Sequence, residues 1–308
     1  MFPYAPFPIV ETEVFASLPD SLRRTGVASP WAEANRGGKP VDSFLEGPSF
    51  DRDGNLYCVD IPFGRIFRIT PDGVFHQVAE YDGQPNGLKI HKDGRIFVAD
   101  YKRGILELDP KRGTVTTVLS GRHSESFKGC NDLFFNSRGD LYFTDQGQTG
   151  LHDPTGRVYR LNTDGRLDCL IDNVPSPNGL VMVPEENVLL LAVTRGNCIW
   201  RLPIQRDGSV SKVGLYIQLS GGRAGPDGLA MGEKGELLLC QTGMGTVWIF
   251  DALGQPMAQI KSCRGLGTTN CAFGGPDNRD LYITDSDTGC ILRAHLDVKG
   301  RTMFSHMD

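Results

Sequence analysis

The four-residue stretch "PNGL" occurs at Pro85–Leu88 and returns at Pro177–Leu180, with the variants "PDGL" at Pro226–Leu229 and "CNDL" at Cys130–Leu133. Pro, Asn and Gly are common turn residues, so a single copy would mark only a break between two elements. Its repeated return indicates instead that the stretch has a fixed place in a repeating unit. The residues that follow each copy define that unit.

The repeat begins with a Glu, Asp or Asn, and in four copies a glycine follows it after eight residues. The copy "NGLKIHKDGRIFVAD", for example, leads from Asn86 to Gly94. In another copy Glu186 takes the place of this glycine, and the last copy is one residue longer. The six leading residues are Glu46, Asn86, Asn131, Asn178, Asp227 and Asn270.

The spacing of these leading residues predicts a propeller. Neighbouring leaders are separated by 40, 45, 47, 49 and 43 residues, a range that is typical of propeller blades. The β-rich runs within the repeat units show no helical periodicity, which disfavours an α/β fold. We predict an all-β, six-bladed β-propeller that forms one domain over residues 1–308, with "ETEVFASLP" adding an outer strand to the last blade. The fourth unit contains four short β-rich runs, "NGLVMVP", "NVLLLAV", "CIWRLPI" and "GLYIQLS".

Equivalent positions of successive blades lie at one height around the propeller axis. If the leading position lies at the mouth of the central channel, six Glu, Asp or Asn side chains converge there. Carboxylate and amide oxygens favour Ca²⁺, Mg²⁺ or Mn²⁺ and suit Zn²⁺ less well. We therefore predict a site for one divalent metal ion in the central channel. The alternative is a purely structural turn, for which Asn and Asp are equally suited.

Composition narrows the class of protein further. The formal net charge of -5 and the pI near 5.7 give no electrostatic reason to expect a nucleic acid or an anionic membrane as partner. The sequence contains no apolar run long enough for a membrane span, and its first residues lack the pattern of a signal peptide. The eight cysteines form no CxxC pair, which predicts free thiols in a reducing cytoplasm.

Four stretches together resemble the senescence marker protein/gluconolactonase/luciferin-regenerating enzyme family. The resemblance extends from about Leu45 to Leu292 and implies a six-bladed propeller that hydrolyses a small lactone, such as a sugar lactone, with one divalent metal ion in its channel. The partner that this implies is a small-molecule lactone, and the oligomeric state stays open. The stretches are "FLEGPSFDRDGNLYCVD", "SPNGLVMVPEENVLLLAVT", "GPDGLAMGEKGELLLCQ" and "TTNCAFGGPDNRDLYITD".

The resemblance also assigns roles to individual residues. The metal ligands of the family match Glu46, Asn178 and Asp227, and Asp227 is in addition the candidate acid and base. The family's substrate-contacting asparagine matches Asn131, and the neighbouring Asp132 can assist it or bind the metal instead. Family members that act on sugar lactones often carry an arginine two residues before this asparagine. Four further candidates for substrate contact lie in or near predicted loops: Lys128, Arg195, His123 and His152.

This sequence departs from the family pattern at the position of that arginine. Gly129 stands where sugar-lactone members carry the arginine, and Lys128 precedes it, so the resemblance does not identify the lactone. Two other functions stay open at this point. One is a non-catalytic repeat propeller that binds protein or RNA, and the other is an esterase or condensing enzyme of the strictosidine synthase or paraoxonase type.

Overall fold

The computed structural model describes residues 7–308, and its strands form the six blades of a β-propeller, as the sequence predicts. Residues 1–6, which the single-domain prediction includes, lie outside the described part of the chain. Two N-terminal strands, β1 (Ile9–Glu11) and β2 (Glu13–Ser17), come before the first blade. The strands of blades 1 to 3 are β3 (Leu45–Phe50), β4 (Leu56–Asp60), β5 (Arg65–Ile69), β6 (Phe75–Glu80), β7 (Pro85–Ile90), β8 (Ile96–Asp100), β9 (Gly104–Asp109), β10 (Thr114–Leu119), β13 (Cys130–Phe135), β14 (Leu141–Asp145), β15 (Gly156–Leu161) and β16 (Leu167–Val174).

Blade 4 has the four strands that the sequence predicts, and blades 5 and 6 complete the ring. A small hairpin, β11 (Gly121–Arg122) and β12 (Glu125–Ser126), lies between blades 2 and 3. The strands of blades 4 to 6 are β17 (Pro177–Met182), β18 (Val188–Val193), β19 (Cys198–Pro203), β20 (Gly214–Gln218), β21 (Gly225–Met231), β22 (Leu237–Thr242), β23 (Thr246–Phe250), β24 (Pro256–Lys261), β25 (Thr268–Gly274), β26 (Asp280–Asp285) and β27 (Cys290–His295).

Helical structure is confined to connecting segments. The one α-helix among residues 7–308 is α1 (Pro30–Arg36), which lies between β2 and blade 1. No helix in this part of the chain is long and apolar enough to cross a membrane. The short 3₁₀ turns are Asp20–Leu22, Ile61–Phe63, Thr194–Gly196 and Phe304–His306.

The N-terminal strands close the ring. Strand β2 pairs antiparallel with β27 and supplies the outer strand of blade 6, which confirms the prediction for "ETEVFASLP". Strand β1 pairs parallel with β24 as a fifth strand of blade 5, a pairing that the sequence does not indicate. Each sheet buries both of its faces against neighbouring blades, so apolar side chains fill the spaces between blades. The pairing of β2 with β27 joins the N-terminal and C-terminal parts of the propeller through backbone hydrogen bonds.

The glycine that follows the leading residue after eight residues occupies the turn between the inner strand and the second strand of its blade. Gly94 has a φ of 89°, in the left-handed region that glycine adopts without strain. Glu186 takes the same position in blade 4 with a φ of 55°, although it has a side chain. The offset of eight residues in the sequence is therefore the length of an inner strand plus its turn.

Candidate active site

The leading residue of each repeat lies within an inner strand, at a β-bulge. In all six blades the pairing register between the inner strand and its neighbour shifts at or beside this residue. A bulge changes the direction of a side chain relative to the regular alternation of a strand. These positions thus lie within strands and not in turns, and the bulges re-aim side chains at the start of every inner strand.

Glycine follows the leading residue in four blades because the next blade comes very close. A Cβ atom placed on Gly179 would lie 2.3 Å from the backbone oxygen of Asp227, and one on Gly87 would lie 2.8 Å from the backbone oxygen of Asn131. Both distances are shorter than van der Waals contact permits. The absence of a side chain at these positions lets the inner strands meet around the axis.

Five of the six leading residues line one open cavity of about 650 Å³ at the end of the channel where the inner strands begin. Asn270 is the exception, and its Nδ2 donates to Asp132 Oδ2 over 3.3 Å. Asp132 lies one residue deeper and lines a small apolar cavity at the other end of the channel, which residues 301–307 cover. The residues of the open cavity are Glu46, Asn86, Asn131, Asn178 and Asp227.

Three buried carboxylates lie close enough to influence one another in the channel. Burial, and next the charge of Asp132, raises the pKa of Glu46 to about 7. Burial, followed by the charges of Glu46 and Asp132, raises the pKa of Asp227 well above its usual range. Within residues 7–308, none of the three forms an ion pair with a Lys, Arg or His side chain, although the charge of Arg195 partly lowers the pKa of Asp227. Ionising both Glu46 and Asp227 is therefore unfavourable without a further cation, and a divalent ion in the channel would favour their ionised forms.

The amide groups around these carboxylates are oriented by their neighbours. Asn131 Nδ2 donates to Gln146 Oε1 over 3.0 Å, and Gln146 Nε2 donates to Ser176 Oγ over 3.0 Å. This chain fixes the Asn131 amide, and its buried Oδ1 has no hydrogen-bond partner in the described part of the chain. An unpartnered amide oxygen beside buried carboxyl groups that form no ion pair in the described chain fits a cation as ligand.

The predicted donors are two carboxylates and an amide, a set that fits a hard divalent ion. No group of three or more His, Cys, Asp or Glu side chains among residues 7–308 is arranged to hold a metal ion. The structure brings Glu46, Asn178 and Asp227 to the same cavity. A metal site in the channel stays a prediction, and the donors present are compatible with it.

The predicted substrate contacts divide into two groups. Arg195 and His152 line the open cavity together with Asn131. Lys128 does not line it, because its Nζ donates to the Thr155 hydroxyl. His123 is likewise not among the lining residues of this cavity. The substrate-binding roles of all these residues stay predictions.

The repeat pattern in the sequence does not predict the residues of α1 and of the loops that lie at the cavity mouth. Trp31 and Asn35 of α1 line the mouth, and Gln148 Nε2 donates both to Asn35 Oδ1 over 3.3 Å and to the Tyr101 hydroxyl over 3.0 Å. A helix start is visible in the sequence at Ser29, a favoured N-cap that is followed by proline. Its position over the channel mouth is not visible, since α1 lies outside the repeat.

The fold and the site define a class, a six-bladed propeller with an oxygen-lined channel. A profile of the SMP-30/Gluconolactonase/LRE-like region matches residues 44–287. Lactonase drp35 of Staphylococcus aureus strain MW2 is 31% identical over 287 residues, which cover 88% of this chain and 86% of that protein. The chain belongs to this SMP-30/gluconolactonase/LRE-like family, and the resemblance seen in the sequence is confirmed.

Solved structures agree with the fold. A gluconolactonase from Xanthomonas campestris matches with a TM-score of 0.73 and 22% identity over 96% of this chain and 98% of that one. The calcium-binding protein regucalcin from Agrobacterium tumefaciens matches with a TM-score of 0.75 and 20% identity over 98% and 99% of the two chains. At these identities the comparisons show a common six-bladed architecture.

Proposed function

We propose that this chain is a lactonase that requires one divalent metal ion and hydrolyses a small lactone to its hydroxy acid. The observation that carries the proposal is the convergence of Glu46 and Asp227 with amide oxygens on one open cavity, without an opposing ion pair in the described chain. Glu46 and Asp227 would hold a cation in their ionised forms, which its charge would favour. The lactonase name of the Staphylococcus aureus relatives supports the choice of a lactone as substrate.

The ligands of the metal ion in this proposal are Glu46, Asn178 and Asp227. Asn131, with its unpartnered Oδ1, is available for a further contact to metal or substrate, and Asp132 lies deeper in the channel. A set made only of oxygen atoms favours Ca²⁺, Mg²⁺ or Mn²⁺ over Zn²⁺. The calcium-binding description of the Agrobacterium regucalcin is consistent with the first of these. When bound, such an ion acts as a Lewis acid on a carbonyl oxygen.

The protein's own contribution to the reaction is proton transfer and orientation. Asp227 takes a proton from water at a carboxylate oxygen while the water oxygen bonds to the lactone carbonyl carbon. The ring C–O bond then breaks, and the same carboxyl group returns the proton to the alkoxide, which gives the hydroxy acid. Arg195 and Asn131 orient the substrate from the cavity wall.

The test is lactone turnover by purified chain that has been stripped of metal with a chelator and reloaded with Ca²⁺, Mg²⁺, Mn²⁺ or Zn²⁺. Acid release from a lactone panel should depend on the added ion. After gentle dialysis, wild type should retain about one metal ion per chain. Glu46→Gln should retain less, because the substitution removes a charged ligand. Absence of acid release with every ion would support the non-catalytic scaffold instead, and equal metal content in both proteins would remove Glu46 from the site.

A further inference from the structure

The open cavity has two chemically different sides. Blades 3 to 5 supply amides, hydroxyls and the charges of Arg195 and Asp227. Helix α1 and blades 1 and 2 supply the polar Asn35, Glu46 and Asn86 and, beside them, a patch of aromatic and aliphatic side chains. We call this patch the apolar wall, and its members are Trp31, Phe44, Ile61 and Tyr101.

The apolar wall is a continuation of the hydrophobic core. Trp31 and Ile61 belong to the buried cluster between blades 1 and 2, and Phe44 packs against this cluster. The ring centroids of Trp31 and Phe44 are 4.6 Å apart. Trp31 is only 8% exposed, so its position is set by packing before any ligand arrives. A preformed apolar surface of this kind binds an apolar group without the entropic penalty of ordering side chains.

Helix α1 is built to hold Trp31 in place. Ser29 caps the helix by accepting from the Ala32 N–H over 3.4 Å, and its hydroxyl donates to the Pro62 carbonyl over 3.2 Å. At the other end of the helix Asn35 accepts from Gln148 of blade 3. The helix is therefore attached on both sides of the channel mouth, with Trp31 between these attachments.

Tyr101 fills the space beside the position where the sequence departs from the family pattern. Gly129 has no side chain, and a Cβ there would lie 2.5 Å from the Tyr101 ring. The ring is held by the hydrogen bond from Gln148 to its hydroxyl. An aromatic face thus occupies this part of the mouth, and position 129 cannot carry a polar or charged side chain unless the ring moves.

We infer that the substrate is a lactone with an alkyl or comparable apolar substituent, which packs against the apolar wall, and that Trp31 is a specificity-determining residue. This deepens the proposed function and rests on it. A polyhydroxylated lactone would place most of its hydroxyl groups against ring faces and aliphatic carbon, which offer them no hydrogen-bond partners, and buried polar groups without partners are unfavourable. An alkyl group gains from the same burial. The lactone ring then faces Glu46, Asn178 and Asp227 on the polar side.

The first experiment compares γ-lactones bearing alkyl chains with glucono-δ-lactone in the metal-loaded protein. Wild type should favour the alkyl lactones in kcat/KM, and Trp31→Ala should lower that preference by roughly tenfold or more. Trp200→Ala is the matched control, because Trp200 is a half-buried tryptophan on β19 outside the cavity. Tyr101→Ser serves as a second, less buried variant in case Trp31→Ala fails to fold. Equal or better turnover of glucono-δ-lactone by wild type, or an unchanged preference in the wall variants, would overturn the inference.

The second experiment separates this inference from the proposed function. Lactams with the same alkyl chains are not readily hydrolysed, so calorimetry measures their binding without turnover. Wild type should bind the alkyl lactam at least about tenfold more tightly than a hydroxylated lactam, and Trp31→Ala or Tyr101→Ser should remove the difference. Alkyl-selective binding without hydrolysis of any lactone would sink the lactonase proposal and leave the apolar subsite standing. Binding that is equally weak for both lactams would reject the subsite whatever the turnover.

Discussion

Asp227 and Asn86 occupy the same position in blades 5 and 2, and both line the open cavity. The two differ in charge and in surroundings. Asp227 is buried beside Glu46, which with burial itself raises its pKa, whereas Asn86 is uncharged and half-buried. Substitutions at these two equivalent positions can therefore distinguish a catalytic role from a structural one.

Asp227→Asn should abolish most lactone turnover, with a loss of roughly 10²–10⁴-fold that is typical of a missing general base. Folding should stay intact, because Asn fills this position in four other blades. Asn86→Asp should keep most of the activity, since no proposed ligand or proton carrier is changed. The measurements are kcat/KM and the thermal midpoint of both variants at saturating metal. Small, similar activity losses in the two would argue that Asp227 has no chemical role.

Stability without metal should depend on pH in the direction set by Glu46. Its pKa is raised from 4.5 to about 7 in the folded protein, chiefly by burial and next by Asp132. Between these values the folded state holds a proton that the unfolded state has released, so stability falls as the pH rises. We expect the midpoint of urea unfolding to decrease from pH 5 to pH 8 in chelator.

Glu46→Gln should lessen this pH dependence, since glutamine cannot ionise, whereas Asp227, whose pKa is also raised, keeps a contribution of the same sign. Glu185→Gln is the control, because Glu185 is an exposed glutamate in a turn of blade 4. Saturating divalent ion should also reduce the slope, because a bound cation favours the ionised carboxylates. A midpoint that rises with pH in metal-free wild type, or a slope that Glu46→Gln leaves unchanged, would contradict this account of the channel charges.

At the scale of the strand, the glycine that follows the leading residue in four blades sets how closely two blades approach. Gly179→Ala should destabilise the protein by about 1–3 kcal/mol, because the new methyl group meets the backbone of Asp227 and Gly228. Gly214→Ala is the control, since nothing lies within 4 Å of a Cβ at that strand residue. The measurements are free energy of unfolding and metal affinity. Equal stability of the two variants would mean that the blades separate easily.

The strands of the repeat could be predicted from the sequence, but the direction of their side chains could not. The four runs of blade 4 agree with β17 to β20, because short β-rich segments between turn residues carry a local signal. The bulge at each leading residue has no comparable signal. For this reason the sequence leaves open whether Asn131 or Asp132 contacts the metal, whereas the structure places Asn131 at the open cavity and Asp132 at the deeper one.

At the scale of the whole molecule, the sequence does not predict the contacts between segments that lie far apart along the chain. Strand β1 pairs with β24, and α1 reaches blade 3 through Asn35 and Gln148. Neither contact follows from the repeat, because both segments come before its first copy. The apolar wall depends on one of them, so the shape of the cavity was the part of the site least accessible to sequence reasoning.

Closure of the ring depends on β2. Its Ala16 is 5% exposed and packs in the cluster between blades 6 and 1, where Phe67 and Ile291 also lie. A carboxylate at this position would be buried without a partner. We expect Ala16→Asp to lower the free energy of unfolding by about 2–4 kcal/mol. Val118→Asp, on the exposed outer strand β10, should change it by less than about 0.5 kcal/mol.

The cysteines report whether this loss is local or spreads around the ring. All eight are free thiols, and Cys263 is exposed. Burial raises the pKa of buried thiols such as Cys130 and Cys240, which keeps them unreactive in the folded state. The six buried cysteines, spread over five of the six blades, are Cys58, Cys130, Cys198, Cys240, Cys271 and Cys290.

In Ala16→Asp, the buried thiols should become reactive together at a lower urea concentration than in wild type, because a ring opened at one blade interface loses support at every other. Val118→Asp should titrate as wild type does. The measurement is thiol labelling across a urea series, with each labelled cysteine identified by mass spectrometry. Labelling confined to Cys58, Cys271 and Cys290, which lie in the blades on either side of this interface, would show that the blades unfold singly. The N-terminal strand would then be a local clasp, and the propeller would not depend on it for cooperative stability.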